Sequence, residues 1–199
     1  MENRSVNPLH LTSITILSPS NSPLYVHSFT GSQDELRHYH LSHAAVDVIE
    51  ERIVMTSTPI KPAESYLGLL FCMEDMAFYG FQTTTKIRMV LSIALVDAMV
   101  KDADIVAIFR AIHNLLLTIT SNPFLSLSSS SSFKAKPASS SSSTSTEKHD
   151  RNHQIINTHI PESKMFNLGP DDIKSNWLKE SKTFNEGVKR IGEMLNGHL

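Results

Sequence analysis

ELRHYHLSHAAVDVIEER, residues 35–52, is the stretch on which the reading of the fold turns. Leu36, Tyr39, His43, Val46, Ile49 and Ile53 recur at intervals of three or four residues. Leu41, Ala45 and Val48 widen the stripe, so the segment predicts an amphipathic helix running on to Met55. Arg37, His40, Ala44, Asp47 and Glu51 fall on the other side at the same spacing. The first set is expected to face a core and the second to face water or a partner. Just ahead, Thr30-Gly31 stops the preceding element, and Ser32 with Glu35 three residues later makes a capping box.

What this helix packs on is read from its two sides. Upstream, Leu11–Leu17 reads as a strand with Ile14 and Ile16 alternating with polar neighbours. The turn formers SPSNSP follow, then a second strand over 24–29. Downstream, Pro59 and Pro62 mark a loop, and three strand-like segments cover 66–73, 78–84 and 86–95. Glu74-Asp75 separates the first two, and Lys86 and Arg88 bracket Ile87 in alternation. A second helix is predicted from about Asp102, its N-cap, with Ile105, Ile108, Ile112, Leu115 and Ile119 on one face. It ends at Asn122, because the residue before a proline avoids helical geometry. Composition then shifts: 125–152 holds two five-serine runs and little that could form a core. Burial there cannot offset an ordering cost of about 1–2 kcal/mol per residue, so this is expected to be a disordered insert. A last helix is predicted over 183–195, with Phe184, Val188, Ile191 and Leu195 on one face and Thr183 with Glu186 as its capping box.

The chain has 199 residues, with 18 Lys and Arg against 20 Asp and Glu. A balance so near neutral argues against a nucleic-acid backbone or an anionic bilayer as the main partner. The apolar runs at 66–73 and around 90–96 stop short of the ~18 residues that a spanning helix needs, so any membrane association is expected to come through partners. Cys72, the one cysteine, sits in LGLLFCM and is expected to be a buried, reduced thiol. No Gly-rich phosphate loop, His-Glu-x-x-His or Gly-x-Ser-x-Gly is present, so neither catalysis nor a cofactor is expected. Of His38, His40 and His43, only the last two approach one helical face, and no third metal ligand accompanies them. His43 is expected in the core. Glu74 and Asp75 are read as a polar turn, Tyr66, Tyr79 and Phe81 as sheet packing, and Arg110, His113 and Asn114 as a helix edge.

Five motifs in order carry a family resemblance. They are Pro-Leu-Tyr at 23–25, the helix at 35–52, YLGLLFCMEDMAFYGF at 66–81, IFRAIHN at 108–114 and NPF at 122–124. Together they resemble the sedlin family over residues 11 to 124, and the likeness resumes at 181–195. The resemblance implies an α+β, longin-like (profilin-like) fold: a five-stranded antiparallel sheet with one helix on one face and two on the other. It divides the chain into an extension (1–10), a core (11–124), a low-complexity insert (125–180) and a helix completing the domain (181–199). Departures from the family are the N-terminal extension and the long insert. The resemblance also implies a non-catalytic adaptor within the trafficking protein particle (TRAPP) complex, a vesicle tether at Golgi and ER-to-Golgi membranes. The partners implied are other TRAPP subunits and, indirectly, a Rab GTPase, with the chain cytoplasmic and reaching membrane only through the complex. The family carries a partner-contacting aspartate at the position of Asp47, and Arg37, His40 and Glu51 join it as candidates on the same helix. Two other readings remain open: a different longin-like interaction domain, or a small-molecule-binding α/β domain.

Overall fold

The computed structural model describes residues 9–57, 64–95, 100–122 and 169–197. All seven residues of β1 (Leu11–Leu17) are buried, its serine and threonines included. A strand closed off on both faces requires a layer on each. After β1 come β2 (Pro23–Ser28), α1 (Glu35–Thr56), β3 (Tyr66–Met73), β4 (Met76–Gln82), β5 (Arg88–Ala94) and α2 (Asp102–Thr120). A short α3 (Ser175–Glu180) and α4 (Lys182–Asn196) complete the order. The strands form one antiparallel sheet ordered β2-β1-β5-β4-β3. α1 packs on one face, where Ala45 and Ile49 meet Leu67, Leu70, Phe78 and Val90. α2, α3 and α4 share the other, where Phe109, Leu178, Phe184 and Val188 join Ile14, Ile16, Leu91 and Ile93. This is the expected α+β, longin-like architecture, with α3 as an addition.

Under the N-terminal half of α1 the core is polar. A register shift between Leu11 and Ser13 lets two neighbouring hydroxyls reach one partner: Thr12 Oγ1 and Ser13 Oγ each lie 2.6 Å from Ser92 Oγ. Ser42 Oγ donates to Thr15 Oγ1 at 2.9 Å. Buried hydroxyls need partners, and α1 supplies one by turning a serine inward. The helix therefore buries His38, Ser42, Ala45, Val46 and Ile49. Leu36 and His43, expected in the core, face solvent instead, and Tyr39 is half-buried.

Element ends also differ from expectation. Ser32 does not cap α1; a 3-10 turn over Ser32–Asp34 intervenes, and Thr30 Oγ1 donates to Asp34 Oδ2 at 2.8 Å. Asp102 is the first residue of α2 and accepts a 2.8 Å bond from the Tyr66 hydroxyl. Ser181, not Thr183, caps α4, accepting from the Phe184 amide at 3.3 Å. Within the expected insert, residues 169–180 are folded, and Leu178 is fully buried. At the far end of α4 the Asn196 side chain grips the first strand: Oδ1 accepts from Leu11 N at 2.8 Å and Nδ2 donates to Leu11 O at 3.2 Å. The extension's first eight residues, the Pro59–Pro62 loop, Pro123 and both serine runs lie outside the described residues.

Cys72 is exposed, contrary to expectation. β3 is an edge strand, and Leu69 and Met73 along it are exposed as well. α2 is the one described helix long and apolar enough to cross a membrane. Its apolar face, Ile105, Ile108, Phe109, Ile112, Leu116 and Ile119, is buried against the sheet.

Arg88 does not alternate outward with Lys86. Lys86 is exposed in a turn, whereas Arg88 is only 9% exposed and lies on the α1 side. Its Nη2 donates to Glu50 Oε1 at 2.9 Å, and its Nε and Nη1 have no hydrogen-bond partner. Removing the carboxylate strands a buried cation, so Glu50→Ala is expected to cost about 1–3 kcal/mol, moderated because Glu50 is half in water. Replacing the arginine by Met in the same background should restore most of that loss. Urea unfolding of both variants tests this; a double variant no more stable than Glu50→Ala alone would show that the ion pair is not the cause.

Candidate partner-binding surface

The polar seam that turns Ser42 inward fixes what α1 shows to solvent. His40, Ala44, Asp47 and Glu51 are all exposed and follow one another along the outward side of the helix. Among the described residues neither Asp47 nor Glu51 has a hydrogen-bond or ion-pair partner. Large apolar side chains stand at both ends of the strip: Leu36 is 66% exposed, Val54 77% and Met55 73%. The His40 ring lies 5.7 Å from that of Tyr39, which also meets His43 edge-on at 5.9 Å. A carboxylate one turn from an imidazole, on a strip with aliphatic groups at both ends, can accept a charge-assisted hydrogen bond from a partner that also covers those apolar groups.

Arg37 is set apart from this strip. Its Nε donates to Glu74 Oε2 at 2.6 Å and its Nη2 pairs with the same carboxylate, so it is directed to the tip of the β3–β4 hairpin. Glu74 and Asp75 both have positive φ, 52° and 59°, as a two-residue type I′ turn demands. With both side chains about half exposed, the pair contributes at most about 1 kcal/mol. Of the four candidates, then, His40, Asp47 and Glu51 come together and Arg37 is engaged within the chain.

The three helix histidines also part company. His38 is buried, with Nε2 3.4 Å from Thr30 Oγ1 and no hydrogen-bond partner on Nδ1. Burial holds its pKa below the usual imidazole value, with Asp34 pulling partly the other way. Tyr66 and Phe81 both pack their rings on Phe109, at 6.3 and 5.2 Å. Sequence reasoning missed Leu36, His43, Val54 and Met55 as surface residues. The spacing 36, 40, 43, 47, 54 is as helical as the stripe assigned to the core, but that stripe took in Leu36 and His43, and Val54 was assigned to neither side.

A model of the sedlin family matches residues 16–157. The chain belongs to the sedlin family. α1 and its outward strip lie inside the match, whereas α3 and α4 lie beyond it. Among relatives, the sedlin-family chain is 33% identical over 112 residues to the trafficking protein particle complex subunit 2-like protein of Rattus norvegicus, covering 56% of this chain and 80% of that protein. It is 32% identical over 114 residues to the protein of the same name from Dictyostelium discoideum, covering 56% and 79%. The Bos taurus protein of that name is 31% identical over 112 residues, covering 56% and 80%.

Proposed function

We propose that this sedlin-family chain is a non-catalytic assembly subunit of a TRAPP vesicle-tethering complex, and that the outward strip of α1 is one of its contacts. The observation that carries the reading is Asp47: exposed and unpartnered at mid-helix between aliphatic groups, on a chain whose relatives bear the name of a complex subunit. In this reading the segments 11–124 and 181–199 act as one adaptor, with His40 and Glu51 beside Asp47 at the contact. The chain works in the cytoplasm at Golgi and ER-to-Golgi membranes, held there by other subunits, and the whole complex activates a Rab GTPase.

Affinity isolation of the tagged chain from its own cells, with identification of the proteins retained, tests this directly. Tether subunits in stoichiometric amounts are expected; recovery of the chain free of them would end the proposal. The purified chain alone is expected to leave fluorescent-nucleotide release from Rab GTPases at the spontaneous rate, because it has no phosphate-handling motif. Acceleration by the isolated chain would contradict the adaptor role.

A further inference from the structure

Beside the C-terminal half of α2 lies a cavity of about 430 Å³, within the range of small-molecule sites. Its apolar walls are Ile87, Leu116, Leu117, Pro170, Ile173 and Trp177. The polar atoms come from His113, from Thr120 and from Thr84 and Thr85 in the β4–β5 turn, and no Asp, Glu, Lys or Arg among the described residues lines it. The Thr120 hydroxyl donates to the carbonyls of Leu116 and Leu117 at 3.0 and 3.2 Å, so its proton is engaged within the helix and only its lone pairs are left for another donor. Leu117 is 48% exposed and Trp177 is half-buried, whereas Leu178 beside Trp177 is fully buried. Two large apolar groups thus stay in contact with water at a concave surface.

The lining sets the ligand's chemistry. A charged group entering would lose its hydration and find no Asp, Glu, Lys or Arg among the described lining residues, whereas an apolar body would release water from Leu117 and Trp177. One donor on the ligand could be met by the Thr120 oxygen. We propose that this cavity is a binding site for a small uncharged molecule with an apolar body and a single hydroxyl-type donor. One wall, residues 169–177, lies past the family match, so the site is assembled from the shared core and this chain's own later segment. It is separate from the α1 strip and does not depend on the adaptor reading.

Trp177 is the only tryptophan in the chain and reports on the site directly. In a titration of the full chain with 1-decanol, its emission should change saturably. Decanoate, of equal length but charged, should bind at least about tenfold more weakly. Leu117→Lys, at a half-exposed position, should leave the melting temperature unchanged and weaken decanol binding by a similar factor. Thr120→Val, which keeps the shape and removes the acceptor, should weaken decanol but not decane. No saturable change with decanol, equal binding of decanoate, or undiminished decanol binding by both folded variants would overturn the proposal.

Discussion

Phe184→Ala lowers the stability of the folded chain by about 3–5 kcal/mol, the usual cost of emptying a buried phenylalanine site. Phe184 has no solvent exposure, and its ring meets Tyr25 edge-on at 4.8 Å. The Tyr25 hydroxyl in turn donates to Asn185 Oδ1 at 2.9 Å, so the aromatic contact and a hydrogen bond hold α4 to β2 at one point. Helices cannot shift to fill the space without breaking that bond, and the cavity stays open. At roughly 2–4 °C per kcal/mol for a domain of this size, the melting temperature should fall by about 6–20 °C. Glu186→Ala, on the exposed side of the same helix, should stay within about 0.5 kcal/mol of the parent. Calorimetry on both variants checks the pair. A Phe184→Ala protein that melts with the parent would mean that α4 is not part of the cooperative core.

If the proposed adaptor role holds, Asp47→Tyr leaves melting almost unchanged and lowers the co-isolation of tether subunits with the chain. The side chain points into solvent, so the larger ring meets no core atom and the fold should change by about 0.5 kcal/mol or less. A partner donor that loses its carboxylate and stays desolvated costs about 2–5 kcal/mol, on the order of thirtyfold or more in affinity. Melting and co-isolation measured side by side separate the two effects. A stable variant retained like the parent would refute the contact at Asp47; one that melts early would refute its outward placement.

The sheet and its helices were legible because their residues obey simple periods. β1 and β3 have the boundaries read for them, and the apolar face of α2 differs only in that Leu116 and Phe109 are buried more deeply than Leu115. The outward strip of α1 was legible in its polar members, His40, Asp47 and Glu51, and not in its apolar ones. The reason lies in Ser13, Thr15 and Ser92: hydroxyls on two strands that spacing alone does not bring together. Only once β1 and β5 are paired does it become clear that the helix must present Ser42 to them and rotate Leu36 and His43 out. Cys72 escaped for a related reason, since an apolar run does not say whether its strand is central or at an edge. The α3 segment was hidden by the compositional shift before it, which drew the boundary of the insert too far along the chain.

The grip of Asn196 on the backbone of Leu11 joins the first strand to the last helix, and this has a consequence for synthesis. A nascent chain released as far as Asn122 has all five strands and α1 and α2, yet the seat of Phe184 and the end of β1 are still uncovered. At about 5–20 residues per second, translation from there to the end of α4 takes roughly 4–15 s. Through that interval an apolar sheet face waits beside the ribosome for the residues that close it. A premature stop anywhere between Asn122 and Lys182 would therefore not yield a shorter folded domain. It would yield a sticky fragment destined for chaperones and proteases, so α4 acts as the quality mark on the sheet and helices made before it.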